Sequence, residues 1–394
     1  MKKQCPHCGN NPVSHFAAWV NNSFSVPANR FYLAVFGKLE QKFAGYLVKH
    51  AFNIFIATFR FFGLIKTYDD PLKAGTTRGR VLWEEARRRG IDMRGLLFLG
   101  HQTDSYIARV AGRKIYFSGL PRPVYTRSGS DWWLDDKAML KEKLASAGIP
   151  VPAGGSYSRY DALTAKFDEL KKPVVVKPQL GSRGRHTTTH IYTKEQLRTT
   201  FNIAKQICFW VVTEEHLGGS VYRATMIGGK LIGVLRGDPP RVRGDGVRTI
   251  SQLVEEKNKI RHEKVSEIVL DERHQDFLAR TGRDITTVPA SGEIVDLLAS
   301  IGVGYGGHSA EVTAKTNAET KKILEMAADV VVDPMIGFDF IIPDIQGSPS
   351  GQRWGIIECN STPFINLHHD PVEGEPINIA KYVWDYVEGN LDRY

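Results

Sequence analysis

The residues Gly355–Pro363 read GIIECNSTP and combine an aliphatic strand pattern with two polar side chains. Successive side chains of a strand point to opposite faces, so Glu358 and Asn360 are expected to share one face and Cys359 to take the other. Cys359 is therefore predicted to pack in the core. The two oxygen-bearing side chains indicate a metal site, unless the N-S-T at residues 360–362 is a glycosylation sequon of a secreted chain.

A second carboxylate is expected beside them. The upstream stretch GFDFIIPD, residues 337–344, predicts a neighbouring strand that carries Asp339. Together, Asp339, Glu358 and Asn360 offer a set of hard oxygen ligands that suits Mg²⁺, an ion that also keeps positions for phosphate and water. A polar sheet edge without a metal is the alternative interpretation.

Two lysines are candidates for binding an anion. Lys177 ends the strand pattern KPVVVKP, and a loop with Gly181, Ser182 and Gly184 follows it. Backbone N–H groups of such a loop can approach an anion closely, which predicts a phosphate site. Lys137 begins a helix pattern after an aspartate. Ordinary solvated lysines would give the same pattern, and no GxxxxGK[ST] loop is present.

A further candidate is the strand end formed by Glu214, Glu215, His216 and Leu217, which leads into two glycines. Such a hinge can offer backbone groups to an adenine ring and a carboxylate to its amino group. A solvated strand end fits the same residues equally well.

Length and composition are typical of a soluble globular chain with two or three packed subdomains. The 394 residues are 42% hydrophobic and 24% charged. The net charge of +9 predicts a surface that attracts anions, among which nucleotides, acidic metabolites, acidic peptides and nucleic acids all qualify. A generally basic surface without a specific partner is equally consistent.

The N-terminus reads MKKQCPHCGNNP and has no apolar core after its lysines, which argues against a signal peptide. The four cysteines are too few for a disulfide scaffold, so a reducing, cytoplasmic location is predicted and the sequon is set aside. Cys5 and Cys8 match one half of a zinc ribbon, but no second CxxC exists to supply four ligands. His7, His15 or a second subunit could complete a Zn²⁺ site; a loose, reduced tail is the alternative.

Residues 31–65 are rich in aromatic side chains but are interrupted by charged ones. A membrane span needs about 20 nearly uninterrupted apolar residues. Amphipathic helices that pack on the body of the protein or on another subunit are therefore expected, with flat binding to a membrane surface as the alternative.

The order and spacing of these elements resemble those of ATP-grasp carboxylate–amine ligases over roughly residues 131–390. The likeness is greatest to the ATP-grasp region of cyanophycin synthetases, and glutathione synthetases resemble the chain less. Three stretches carry it: LRGDPPRVRGDGVRTISQLVEEKN at residues 235–258, GYGGHSAEVT at 304–313 and NSTPFINLHHDPVEGEP at 360–376. Cyanophycin synthetases have similar GDG and GG-x-x-x-DVT runs and a His-x-x-P-x-x-G tail.

The resemblance implies an α/β protein, with an ATP-grasp fold of two α+β lobes behind an N-terminal helical and α/β extension. The implied units are residues 1–66 (the CxxC tail and aromatic-rich helices), 67–130 (an α/β region before the ATP-grasp domain) and 131–394 (the ATP-grasp domain). Within the last unit, the ATP-binding lobe would end near residue 220 and the C-terminal catalytic lobe would cover residues 221–394.

The resemblance also implies a reaction. The γ-phosphoryl group of ATP would pass to a carboxylate, and an amine would attack the acylphosphate to form an amide. Such catalysis is mostly positioning and charge neutralisation. The implied residue sets are, for ATP, Lys137, Lys177, Gly181, Ser182, Gly184, Glu214, Glu215, His216 and Leu217; for one or two Mg²⁺, Asp339, Glu358 and Asn360; and for catalysis, Arg223, Arg236 and Lys177.

The expected substrates are amino acids or small peptides, at least one of them acidic. Family habit suggests a homo-oligomer, and no nucleic-acid partner is expected. A phosphotransferase with the same fold and a non-catalytic nucleotide- or nucleic-acid-binding protein are the alternatives.

The chain departs from the family pattern at several positions. Val221 stands where an acid usually binds ribose, Gly302 where an asparagine is usual, and Phe364 where a glycine is usual. The glycine loop carries Arg183 and Arg185, which would meet an acidic substrate or remain solvated. The second, Mur-ligase-like half of cyanophycin synthetases is missing, so a single kind of amide bond is expected.

Overall fold

The computed structural model describes residues 5–9, 12–36, 54, 56, 58–123 and 133–394, and its architecture is α/β. Within these residues the α-helices are α1 (His15–Phe36), α2 (Thr77–Arg88), α3 (Lys137–Ser146), α4 (Tyr160–Phe167), α5 (Lys194–Lys205), α6 (Ile250–Lys259), α7 (Glu272–Arg280), α8 (Ala318–Val331), α9 (Asn366–His369) and α10 (Ile379–Gly389). The strands are β1 (Ile65–Tyr68), β2 (Asp92–Phe98), β3 (His101–Val110), β4 (Arg113–Ser118), β5 (Gly154–Tyr157), β6 (Val174–Pro178), β7 (Thr188–Ile191), β8 (Val211–Glu215), β9 (Ser220–Ile227), β10 (Lys230–Asp238), β11 (Arg241–Arg243), β12 (Ile294–Asp296), β13 (His308–Glu311), β14 (Met335–Ile342) and β15 (Gly355–Asn360).

The first sheet has the antiparallel order β1-β2-β3-β4 and packs against α2 and α10. Trp83, Tyr106 and Trp384 are fully buried in this core. The indole N–H of Trp384 donates a hydrogen bond of 2.9 Å to the carbonyl of Leu82. The first sheet and α2 therefore share their core with α10, a contact that sequence order does not indicate.

The second sheet has the order β5-β8-β6-β7 and forms the first lobe with α4 and α5. Its core contains Leu163, Val176 and Phe201. A capping box begins α5, in which Thr193 and Gln196 satisfy each other's backbone N–H groups. In this lobe β6 ends at Pro178, and the loop with Gly181 and Gly184 connects it to β7.

The third sheet has the order β13-β10-β9-β14-β15, with α3 and α8 packed on one face. Phe338, Phe340 and Cys359 lie in that core, as predicted for Cys359. The other face carries Arg223, Asp339 and Glu358, while Ile227 and Met335 of the same face pack into the core with α10. Between β10 and β13 the chain forms a small unit in which β11 and β12 pack with α6 and α7.

Helix α1 lies against the first lobe. The amide of Asn22 donates a hydrogen bond of 2.8 Å to the carbonyl of Ile207, and Val26 is buried with Leu180 and Cys208. The helices predicted within residues 31–65 fall largely outside the described residues. In the part of the chain that the structure describes, no helix is long and apolar enough to cross a membrane.

Candidate active site

Polar side chains of three adjacent strands meet on the face of the third sheet opposite α3 and α8. Asp339 of β14 is paired with Arg223 of β9 on one side and with Glu358 of β15 on the other, and directly paired residues share a face. Two hydrogen bonds of 2.7 Å join the Arg223 guanidinium to both oxygens of Asp339. The amide of Asn360 donates to Asp339 at 3.3 Å. The structure therefore brings the oxygen set expected for Mg²⁺ together.

Lys137 connects this face to the first lobe. Asp136 begins α3, and its carboxylate accepts hydrogen bonds from the backbone N–H groups of Ala138 and Met139. Lys137 consequently occupies the first turn, where its Nζ lies 2.7 Å from the Gly181 carbonyl oxygen and 3.6 Å from Oε2 of Glu358. One lysine thus contacts both the glycine loop and the oxygen set.

Lys141 of α3 forms a buried cluster of charges with Lys177 and Glu214 of the first lobe. The Nζ of Lys177 lies 2.6 Å from Oε1 of Glu214, and Lys141 contacts the other carboxylate oxygen. Sequence reasoning misses Lys141, although its position one turn after Lys137 on the same helix face is a usable signal. Glu214, one of the two carboxylates of the predicted adenine hinge, has its carboxylate between two lysines.

Burial and neighbouring charges shift the pKa values of these groups. Burial, followed by repulsion from Lys137, lowers the pKa of Lys177 to about 7. Burial and the charge of Lys177 also lower the pKa of Lys141. Burial alone would raise the pKa of Glu358, but the positive charges of Lys137, Lys177 and Arg223 outweigh it and lower that pKa. A multivalent anion would relieve the repulsion between the lysines.

Two backbone N–H groups of the predicted adenine hinge are already hydrogen-bonded within the fold. The backbone N–H of Glu215 donates to the Ala153 carbonyl at 2.8 Å, and that of His216 donates to the Pro173 carbonyl at 2.9 Å. Leu217 is buried. An adenine ring would therefore have to bond to other backbone groups of this strand end.

The glycine loop after β6 has a strained backbone. The φ angles are 143° at Gly181 and 65° at Gly184, and the intervening Arg183 has a φ of 61°. The left-handed conformation costs a residue with a Cβ roughly 1–2 kcal/mol, so this loop needs its glycines. Arg185 donates a hydrogen bond of 3.4 Å to the hydroxyl of Ser182.

Phe364, one of the departures from the family pattern, lies among three guanidinium groups. Its ring centre is 5.5 Å from Arg78 of α2, 5.6 Å from Arg183 of the glycine loop and 5.9 Å from Arg223 of β9. These distances fit cation–π contacts. Arg78 is also paired with Asp104 and Arg223 with Asp339, so carboxylates balance part of the positive charge beside the oxygen set.

Arg236 does not lie beside Arg223, Asp339 and Glu358. It is paired with Tyr222 of β9, one residue away from Arg223, so its side chain lies on the opposite face of the sheet. Its Nε lies 3.1 Å from Oδ2 of Asp238. The predicted catalytic pair is therefore divided between the two faces of the sheet.

The His-x-x-P-x-x-G stretch, residues 368–374, packs against β9 and β13 of the third sheet. His368 is buried, with its Nδ1 2.6 Å from Glu311 and its Nε2 2.8 Å from the hydroxyl of Thr225. Gly374 has a φ of 88°, and a Cβ there would lie 2.3 Å from the Glu311 carbonyl oxygen. The stretches at 304–313 and 360–376, which both carry the resemblance, thus meet around Glu311.

A separate cluster contains sulfur and imidazole groups. Cys5, Cys8, His15 and His186 place four ligand atoms within 4.8 Å of one another. Of the candidates expected to complete the CxxC pair, His15 belongs to this cluster and His7 does not. His186 carries no signal in the sequence, because its approach to the cysteines depends on the fold.

No protein-family model matches the chain. Cyanophycin synthetase of Trichormus variabilis is 29% identical over 262 residues, which are 65% of this chain and 29% of that protein. The glutathione biosynthesis bifunctional protein GshAB of Clostridium perfringens is 28% identical over 322 residues, which are 78% of this chain and 40% of that protein. The chain therefore spans less than half the length of these curated relatives.

Among solved structures, a bifunctional glutathione synthetase from Pasteurella multocida matches with a TM-score of 0.53 and 24% identity, covering 79% of this chain and 44% of that one. This similarity confirms the predicted fold. The sequence similarities confirm the predicted relationship to cyanophycin synthetase. The chain therefore has an ATP-grasp fold and is similar in sequence to cyanophycin synthetase and GshAB.

Proposed function

We propose that the chain is an ATP-dependent carboxylate–amine ligase, which forms an amide bond through an acylphosphate and releases ADP and phosphate. The observation that carries this proposal is the 3.6 Å approach of Lys137 to Glu358, a residue paired directly with Asp339. A cation–phosphate pair fits this arrangement, because the cation needs oxygen ligands and the phosphates need positive charge. The names of the related proteins support the same class of reaction.

Each group would have a defined task. Lys137, Lys177 and Lys141 would neutralise the phosphates, and the glycine loop would exclude the water that hydrolyses an acylphosphate. Arg223 would stabilise the oxyanion that develops on the carboxylate substrate. Mg²⁺, held by Asp339, Glu358 and Asn360, would neutralise phosphate charge and align the phosphoryl group. Adenine would lie at the strand end formed by residues 214–217.

The carboxylate substrate would be an acidic amino acid or peptide. The three guanidinium groups of Arg78, Arg183 and Arg223 around Phe364 support this, since each lies within 6 Å of the same ring. A second carboxylate on the substrate would add a charge-assisted contact to such a group.

Two further expectations from the sequence belong to this proposal. One is a homo-oligomeric state, and the other is a reducing, cytoplasmic location. The Zn²⁺ predicted at Cys5 and Cys8 would be a structural ion, separate from the Mg²⁺ that accompanies ATP.

The proposal is tested by phosphate release from ATP and Mg²⁺ in the presence of pairs of amino acids or dipeptides, beginning with acidic ones. A ligase requires both partners, and mass spectrometry should find a product equal to their sum less one water. If no pair raises phosphate release above the background, the proposal is wrong.

An isotope experiment separates a ligase from a phosphotransferase. The acyl oxygen of the carboxylate leaves with the phosphate when the amine attacks, so a carboxylate labelled with ¹⁸O should transfer label to inorganic phosphate. A stable phosphorylated product and unlabelled phosphate would indicate a phosphotransferase instead.

A further inference from the structure

Two cysteines and two histidines converge where the N-terminal segment meets the first lobe. The sulfur of Cys8 lies 3.3 Å from Nε2 of His15 and 3.5 Å from Nε2 of His186, and the sulfur of Cys5 lies 3.9 Å from Nε2 of His186. A tetrahedral zinc ion, with bonds of about 2.3 Å to sulfur and about 2.0 Å to nitrogen, separates its ligand atoms by about 3.3–3.8 Å. The observed distances are close to these separations.

His186 is oriented as a metal ligand. Its side chain is buried, and its Nδ1 lies 2.8 Å from the carbonyl oxygen of Ile203. A carbonyl only accepts, so Nδ1 carries the proton and the lone pair of Nε2 faces the two sulfur atoms. An imidazole fixed by a backbone carbonyl in this way is typical of metal-ligating histidines.

The four groups come from three places in the chain. Cys5 and Cys8 flank a short turn, His15 begins α1, and His186 follows the glycine loop. The backbone reinforces this junction, because the N–H of His186 donates to the carbonyl of His7 at 2.9 Å. Farther along α1, the hydrogen bond from Asn22 to Ile207 attaches the helix to the same lobe.

We propose that Cys5, Cys8, His15 and His186 bind a structural Zn²⁺ that fastens the N-terminal segment to the end of the glycine loop. Two thiolates balance the charge of the ion, and soft sulfur with imidazole nitrogen is a donor set that zinc prefers. Four protein ligands leave no position for a substrate, so the ion stabilises structure and takes no part in catalysis.

The position of His186 gives the ion a second effect. His186 lies two residues after Gly184, so a metal bond to its ring fixes the downstream end of the glycine loop. This effect on the loop rests on the proposed function, in which that loop covers the phosphates. The binding of the ion itself does not depend on that function.

Metal content is the direct test, on the full chain purified without chelators from a zinc-supplemented culture. We expect inductively coupled plasma mass spectrometry to find about one zinc ion per chain. Exchange for Co²⁺ should give the visible absorption of a tetrahedral site and a thiolate-to-cobalt charge-transfer band. A folded protein with neither bound zinc nor a cobalt–thiolate band overturns the proposal.

Variants then identify the ligands. Cys8→Ser and His186→Gln should lose the zinc, whereas His7→Gln should keep it, because His7 lies beside the cluster without belonging to it. Cys5→Ser is a further variant in case the other two fail to fold, because Cys5 is only half-buried and its circular dichroism should stay unchanged. The loss of one thiolate ligand should shift its cobalt spectrum. Full zinc binding by folded His186→Gln contradicts the assignment.

Hydrogen exchange tests the effect on the loop. Removal of zinc by a chelator should speed exchange in residues 181–190 of the wild type and leave His186→Gln unaffected. Unchanged exchange in the zinc-free wild type would refute the effect on the loop. None of these measurements needs ATP turnover. The zinc proposal can therefore fail while the ligase proposal stands, and the ligase proposal can fail while zinc binding is observed.

Discussion

The ammonium nitrogen of Lys177 lies 2.6 Å from Oε1 of Glu214, and both side chains are buried. The same carboxylate also contacts Lys141, while Lys137 adds its charge nearby. The carboxylates of Glu214 and Glu358 therefore face three lysines inside the protein, where uncompensated charge is costly. A triphosphate would supply the missing negative charge.

This relationship predicts that ATP binding takes up protons. With a pKa of about 7, lowered by burial and by Lys137, the Lys177 side chain is mostly neutral at about pH 8 in the free protein. Bound phosphate favours the ammonium form and raises this pKa, so affinity for ATP should fall as the pH rises above about 7. Titration calorimetry in buffers of different ionisation enthalpy measures the uptake.

Two lysine variants locate the effect. Lys177→Gln should bind ATP more weakly near neutral pH and should take up fewer protons on binding. Lys171→Gln changes an exposed lysine just before β6, and both properties should remain as in the wild type. Undiminished uptake in Lys177→Gln would assign the proton to another group.

Loss of the Glu358 charge should stop turnover. Glu358→Gln keeps the shape of the side chain but removes one of two adjacent carboxylates, so phosphate release should fall by at least about 10²-fold. Circular dichroism and binding of ADP without Mg²⁺ should persist. Glu142→Gln makes the same change at an exposed position of α3 and should be nearly neutral. Retained activity in Glu358→Gln would refute the metal assignment.

The two arginines should differ because they lie on opposite faces of the third sheet. Arg223→Gln should lower phosphate release by at least about 10²-fold, while Arg236→Gln should lower it by less than about tenfold. Circular dichroism checks that each variant is folded. An equal loss in both would show that Arg236 reaches the substrate and that its predicted catalytic role is right.

The buried contact between His368 and Glu311 should stabilise the fold. His368→Ala leaves the carboxylate of Glu311 without its 2.6 Å partner, so the free energy of unfolding should fall by about 3 kcal/mol. The matched change His308→Ala removes a partly exposed pair with Glu373 and should cost less than about 1 kcal/mol. Urea denaturation compares the two, and equal values would contradict the argument.

Local sequence patterns predicted several features of the fold and of the candidate site. The alternation in GIIECNSTP is set by the two-residue period of a strand, and it correctly separates buried Cys359 from Glu358 and Asn360. The position of Lys137 follows equally locally, since the carboxylate before it caps a helix. The order of such elements along the chain was enough to indicate the ATP-grasp fold.

Only the tertiary structure decided which groups meet. The register between strands is set by distant parts of the chain, and a shift of one residue moves each side chain of a strand to the other face of the sheet. The observed register pairs Arg223 with Asp339 and places Arg236 on the opposite face. The approach of α3 to the end of β8 placed Lys141 beside Glu214. His186 reaches Cys8 across 178 residues of sequence, because the fold closes a loop that no local pattern can indicate.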